Sequence, residues 1–204
     1  MLTSRYKTAF TRSFTPFARV LVQLKISPTT ITLLGLVFMV ASCLFVLLTK
    51  RVVMFCVLVT ASGLFDALDG AVARLSGRVT KFGAYLDAMC DRYVEGIVVL
   101  TVAAITGYWV LSGWLLLGAM LVSYAKARAA MEVSVTNQEW PDLMERTERS
   151  AIFLVGLLMS RLIGWSPLGR DLFWWTLLLL GALVHATLIQ RILRAKHFIA
   201  RRER

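Results

Sequence analysis

Asp66-Ala67-Leu68-Asp69-Gly70-Ala71-Val72-Ala73-Arg74 and, after eight further residues, Gly83-Ala84-Tyr85-Leu86-Asp87-Ala88-Met89-Cys90-Asp91 place four carboxylates in two apolar stretches. Glu95 adds a fifth, out of twelve acidic residues in the chain. A charged side chain at the centre of a bilayer costs about 2.5–3.5 kcal/mol even on the lenient insertion scale. Five in two spans must be paired, bound to metal or close to one surface. Asp66 and Asp69 are spaced i, i+3 and Asp87 and Asp91 i, i+4, so each pair shares a helix face. A short turn from Leu75 to Thr80 makes the two helices antiparallel neighbours. The pairs then face each other one or two turns from the connecting loop, at ~1.5 Å rise per residue. Carboxylates so crowded need cations, and an oxygen-only donor set selects Mg²⁺, Mn²⁺ or Ca²⁺. Two such ions form the usual arrangement for displacement at phosphorus. Gly70, Ala73 and Gly83 allow close approach of a helix or a phosphate.

The rest of the chain is equally apolar. Its 204 residues are 58% hydrophobic and 17% charged, with a mean hydropathy of +0.70, whereas a soluble domain carries about 25% charged residues. At about 20 apolar residues per span, six transmembrane helices are expected, at about 30–49, 52–75, 81–106, 112–133, 149–164 and 172–193. Pro28 opens the first, Lys50-Arg51 marks the turn into the second, Gly107 ends the third, and Gly164 with Pro167 separates the fifth from the sixth. Within 2–21, Arg5, Lys7, Arg12 and Arg19 alternate with Tyr6, Phe10, Phe14, Phe17 and Val20. That pattern predicts an amphipathic helix lying in the membrane interface. The expected fold is one all-α integral membrane domain over 1–204: an interfacial helix and six spans.

The net charge of +11 would also suit nucleic acid, but the basic residues lie between and beyond the apolar runs. One side holds Arg5 to Lys25, then Arg74, Arg78 and Lys81, then Lys126, Arg128, Arg146 and Arg149, then Arg191 to Arg204. The other holds only Lys50, Arg51, Arg161 and Arg170. The positive-inside rule makes both termini and the carboxylates cytoplasmic in a multi-pass protein of the cell membrane, with lipid as partner and no nucleic acid. Cys43, Cys56 and Cys90 stand singly in apolar stretches and read as small core residues. His185 and His197 have no partner at metal-ligand spacing, and His185 reads as a packed residue.

Written as Asp66-x2-Asp69-Gly70-x2-Ala73-Arg74-x8-Gly83-x3-Asp87-x3-Asp91, the segment resembles, at every position, the signature of the CDP-alcohol phosphatidyltransferase family. The resemblance implies that Asp66, Asp69, Asp87 and Asp91 bind two Mg²⁺ (or Mn²⁺) ions. Asp91 would also be general base, and Gly70, Arg74 and Thr80 would contact the nucleotide of a CDP-linked lipid. Ser27-Pro28-Thr29-Thr30-Ile31-Thr32-Leu33-Leu34-Gly35 resembles the Pro-Asn-x-x-Thr-x-x-Gly element of that family. It places Thr29, Thr30, Ile31 and Thr32 at the nucleotide, with Thr29 standing where Asn is usual; Thr29 is equally well read as a helix N-cap. A homodimer is implied as well.

Acceptor clues lie outside the signature. Ser123-Tyr124-Ala125-Lys126-Ala127-Arg128, Glu145-Arg146-Thr147-Glu148-Arg149 and Arg191 all fall near the cytoplasmic end, where they would surround a second anion. These segments resemble elements of the prokaryotic phosphatidylinositol-phosphate synthase branch. Carried over, Ser123, Lys126, Arg149 and Arg191 would hold inositol 1-phosphate, with CDP-diacylglycerol as donor and Glu148 orienting the arginines. The bland alternative is that these charges only obey the positive-inside rule. Glycerol-phosphate enzymes of the family carry Arg where Gly35 stands, which argues against glycerol 3-phosphate and so against phosphatidylglycerol phosphate synthesis. Archaetidylinositol phosphate or di-inositol phosphate phosphate synthesis stays open, since no residue distinguishes those donors. An ion-coupled transporter is the rival class, because intramembrane Asp clusters also mark ion pathways; no inverted repeat or broken helix supports it.

Overall fold

The computed structural model describes residues 15–132, 143–144 and 146–202. All regular structure among them is helical: α1 over 15–23, α2 Pro28–Thr49, α3 Val52–Leu75, α4 Lys81–Thr106, α5 Trp109–Glu132, α6 Arg146–Leu162 and α7 Leu172–Arg202, with a 3-10 turn at Pro167–Gly169. Residues 2–14 of the expected interfacial helix lie outside the described residues. The chain divides inside α4 into two compact units, one up to Val98 and one from Val99.

The helix ends follow local chemistry. Ser27, not Thr29, caps α2: its Oγ accepts the Thr30 N–H at 3.1 Å, which lets Pro28 occupy the first turn, where its missing N–H costs nothing. Gly107, at φ +78°, ends α4 by donating to the Ala103 carbonyl, and Gly164, at φ +62°, lies just past α6. α5 starts at Trp109, earlier than the expected 112. α7 runs on to Arg202 rather than stopping near 193. The apolar run stops there, but no Gly or Pro interrupts Arg194-Ala195-Lys196, so the helix continues past the apolar stretch.

α2, α3, α5 and α7 are each long and apolar enough to cross a membrane. α4 carries Lys81, Asp87, Asp91, Arg92 and Glu95, and α6 has 17 residues, about 25 Å against a hydrocarbon core of ~30 Å. The exteriors of the apolar helices are themselves apolar, with Leu33, Leu34, Val37, Leu44 and Leu48 exposed along α2 and Val53, Met54 and Val57 along α3. Water would not tolerate so continuous a face; lipid does.

In the first unit α2 packs along α3. Ala18 of α1, Ile31 of α2 and Ala71 and Val72 of α3 form a buried cluster, with Phe65 and Leu68 against it. Gly35 sets how near the two helices come. A Cβ there would stand 2.8 Å from the Phe65 Cβ, while nothing lies within 4 Å of a Cβ at Gly63. Gly35→Val is therefore expected to destabilise the protein by about 1–3 kcal/mol through overpacking. Gly63→Ala should be neutral or stabilising, because it only raises helix propensity. Melting curves of the two variants in the same detergent check the contrast.

In the second unit α7 packs on both α5 and α6. Small residues make this possible: Gly118 faces Val184 and His185, Gly156 faces Thr176, and Gly181 faces Trp114. His185 stacks on Trp114 at 4.9 Å, and its Nδ1 lies 2.9 Å from the Gly181 carbonyl, as a packed residue. Cys43, Cys56 and Cys90 are buried thiols, with no disulfide among the described residues. At the start of α7, Asp171 caps the helix by accepting the Trp174 N–H at 2.8 Å, and Arg170 lies over the Trp174 ring. Asp171 also bonds the Tyr108 side chain, and burial together with the Asp171 charge raises the Tyr108 phenol above its ordinary range.

Candidate active site

The α3–α4 hairpin brings Asp87 back beside Asp66 and Asp69. Each offers a carboxylate oxygen, and the three oxygens lie within 4.8 Å of one another. Asp69 is the buried member, at 7% exposure. Three acidic oxygens so close, with no sulfur or nitrogen donor in the group, fit a hard divalent cation, and their mutual repulsion is what such an ion relieves. Asp91 is outside this group of three; it sits one turn beyond Asp87, about 6 Å further along α4, within electrostatic reach of Asp69. Further along, Arg92 pairs with Glu95 at 2.7 Å, which accounts for the fifth acid without the cluster.

The remaining signature residues have definite local roles. The Arg74 guanidinium folds back over Gly70, where a Cβ would stand 3.3 Å from its Nη1; the glycine leaves the room the arginine uses. Thr80 caps α4, its Oγ1 accepting the Gly83 N–H at 3.0 Å. The cap uses Thr80 as an acceptor, so its hydroxyl hydrogen can still serve a ligand.

Residues 29–32 divide. Ile31 is buried in the core of its unit, so its side chain packs rather than lining a pocket. The Thr30 Oγ1 lies 2.7 Å from the Ser27 Oγ in the helix cap. The Thr32 Oγ1 donates to the Asp69 Oδ2 at 2.6 Å, from α2 to α3. Sequence reading put Thr32 at the nucleotide and gave no sign of this bond, which links positions 37 residues apart.

The second unit holds the basic residues expected at the acceptor. Arg149 and Arg191 are buried, at 5% and 7% exposure. Arg191 Nη1 donates to the Val122 carbonyl, tying α7 to α5 beside Ser123. Ser123 bonds back to the Ala119 carbonyl and shares a helix face with Lys126. The Leu143 N–H donates to the Gln190 Oε1 at 3.1 Å, which brings the approach to α6 to the level of Arg191 on α7. Arg128 is different, an exposed partner of Glu132 at 2.8 Å. Arg194 escaped the sequence reading. Its Nη1 is buried without a hydrogen-bond partner among the described residues, and its spacing of three from Arg191, on the same face, was the available signal.

Helices with lipid-facing exteriors around an oxygen-only carboxylate cluster define a membrane-embedded centre suited to phosphate chemistry. The family model for CDP-alcohol phosphatidyltransferase matches residues 25–188. The chain belongs to that family: it is a multi-pass membrane transferase of phospholipid biosynthesis, and the transporter alternative falls away. It is 32% identical over 192 residues to the phosphatidylinositol phosphate synthase of Corynebacterium glutamicum, covering 88% of this chain and 82% of that one. It is 39% identical over 140 residues to the archaetidylinositol phosphate synthase of Methanothermobacter thermautotrophicus, covering 67% and 66%. Crystal structures of Mycobacterium tuberculosis phosphatidylinositol phosphate synthase superpose with a TM-score of 0.77 at 30% identity. One has CDP-DAG bound and covers 92% of this chain and 94% of that chain. Another is in complex with manganese and citrate, covering 89% and 88%.

Proposed function

We propose that this chain transfers the phosphatidyl group of CDP-diacylglycerol to inositol 1-phosphate, giving phosphatidylinositol phosphate and CMP. The observation that carries the acceptor is the burial of Arg149 and Arg191. A cation placed only to set membrane orientation gains nothing by leaving water. Two guanidinium groups drawn out of solvent on α6 and α7 suit the oxygens of a phosphorylated acceptor, which free inositol lacks.

Asp66, Asp69, Asp87 and Asp91 hold divalent metal in this reading, two ions of Mg²⁺ or Mn²⁺. When bound, the metal neutralises the diphosphate and stabilises departing CMP. Asp91 accepts the proton of the acceptor hydroxyl as its oxygen bonds to the phosphorus that carries diacylglycerol. The bond from that phosphorus to the CMP oxygen breaks, and CMP leaves with the electron pair. Arg74 clamps the diphosphate with its always-charged fork, beside Gly70 and Thr80, while Thr29 and Thr30 border the nucleotide. Ser123, Lys126, Arg149 and Arg191 bind the acceptor phosphate, and Arg194 adjoins them.

The reading treats 1–204 as one catalytic domain with six spans, α4 and α6 included, and an interfacial N-terminal helix. α4 crosses because its charges gather between Lys81 and Glu95 and are met by metal or by one another. The Lys and Arg asymmetry puts the termini and the active site on the cytoplasmic side. A homodimer follows from the family resemblance. A second reading keeps the acceptor and changes the donor to an ether lipid, supported by the likeness to the archaetidylinositol phosphate synthase.

CMP release by purified protein with Mg²⁺ tests both. CDP-diacylglycerol with inositol 1-phosphate is expected to react, and inositol, serine and glycerol 3-phosphate are not. Turnover with CDP-archaeol alone would favour the second reading, and release with a different alcohol would end the acceptor assignment.

A further inference from the structure

We propose that Thr32 is a positioning residue for the metal ligand Asp69, acting through the carboxylate rather than on the nucleotide; this rests on the reading of the aspartates as metal ligands. The distance of 2.6 Å between the Thr32 Oγ1 and the Asp69 Oδ2 is that of a hydrogen bond to a charged oxygen. The same hydroxyl lies 3.2 Å from the Pro28 carbonyl. One hydrogen cannot fully serve both, and the shorter contact, to the ionised group, takes it.

Three features make this bond an orienting device. Asp69 is the buried carboxylate of the cluster, so a fixed donor there counts for more than it would in water. The donor sits on a different helix from the ligand, and its height above α3 is set by the Gly35–Phe65 approach one turn away and by Ile31 in the core with Ala71 and Val72. Threonine is β-branched, so few side-chain rotamers compete with the one that points at Asp69. Engaging Oδ2 from the α2 side restrains the plane of the carboxylate. Metal-ligating carboxylates are commonly held by such a partner, and its loss costs about 10–100-fold in metal affinity or activity.

The test is Mn²⁺ titration of the purified full chain, read from the electron paramagnetic resonance of free Mn²⁺, for wild type, Thr32→Val, Thr32→Ala, Thr32→Ser and Asp69→Asn. Thr32→Val and Thr32→Ala should bind Mn²⁺ about 10–100-fold more weakly. Thr32→Ser, which keeps the donor, should stay within a few-fold of wild type. At saturating Mn²⁺ the KM for CDP-diacylglycerol should be unchanged in all three Thr32 variants. Metal-free melting identifies any variant that has lost its fold, and the other donor-less variant then decides. Wild-type affinity in the donor-less variants, or a raised CDP-diacylglycerol KM with Mn²⁺ binding intact, overturns the proposal in favour of a nucleotide contact. If wild type and Asp69→Asn bind Mn²⁺ alike, Asp69 is no ligand, and the metal reading falls first.

Discussion

Asp91→Asn is expected to lower CMP release by about 10²–10⁴-fold, the range a positioned general base contributes, while Mn²⁺ binding falls less than in Asp69→Asn. Asparagine keeps the size and polarity of the side chain but cannot take a proton from the acceptor hydroxyl. Asp66, Asp69 and Asp87 converge within 4.8 Å, and Asp91 stands a turn further along α4. Asp69→Asn should behave otherwise, losing metal affinity and turnover together, because it removes the buried member of the group. Comparing kcat at saturating metal with direct Mn²⁺ binding separates these patterns. A near-wild-type rate for Asp91→Asn would place the base elsewhere.

Arg149→Gln and Arg191→Gln are each expected to raise the KM for inositol 1-phosphate by about 100-fold, leaving the KM for CDP-diacylglycerol nearly unchanged. Truncating one partner of a buried charged hydrogen bond costs about 2–5 kcal/mol, and each tenfold change corresponds to about 1.4 kcal/mol. Both guanidinium groups are buried, and Arg191 is braced by the Val122 carbonyl next to Ser123. Arg128→Gln is the internal comparison. Its exposed pair with Glu132 is worth about 0–1 kcal/mol, and its loss should shift the acceptor KM by only a few-fold. Steady-state kinetics with the acceptor varied distinguish the cases. Equal effects at 128 and 149 would mean that bulk positive charge, not a built pocket, attracts the substrate.

Much of the fold could be read from the chain itself, because the bilayer imposes strict demands on any sequence that crosses it. The apolar runs marked α2, α3 and α5 closely and the start of α7, and Gly107 and Gly164 stopped helices where expected because each takes the positive φ its turn requires, at little cost for glycine. α4 and α6 were harder to judge. Each helical run was legible, but hydropathy cannot tell a span whose charges are met within the protein from a helix at the surface. The end of α7 was misplaced for the opposite reason: a helix continues past the apolar run when nothing in the sequence breaks it.

The site divides along the same line. Spacing at i, i+3 and i, i+4 fixes which side chains share a face, so the sequence by itself determined the two aspartate pairs, the hairpin that joins them and the hard-metal chemistry of their oxygens. Only tertiary structure decided what crosses between helices. It gave Thr32 to Asp69, turned Ile31 into the core, set the α2–α3 separation at Gly35 and buried Arg149 and Arg191 while leaving Arg128 in solvent. Those outcomes depend on contacts between residues tens of positions apart, and no local periodicity encodes such contacts.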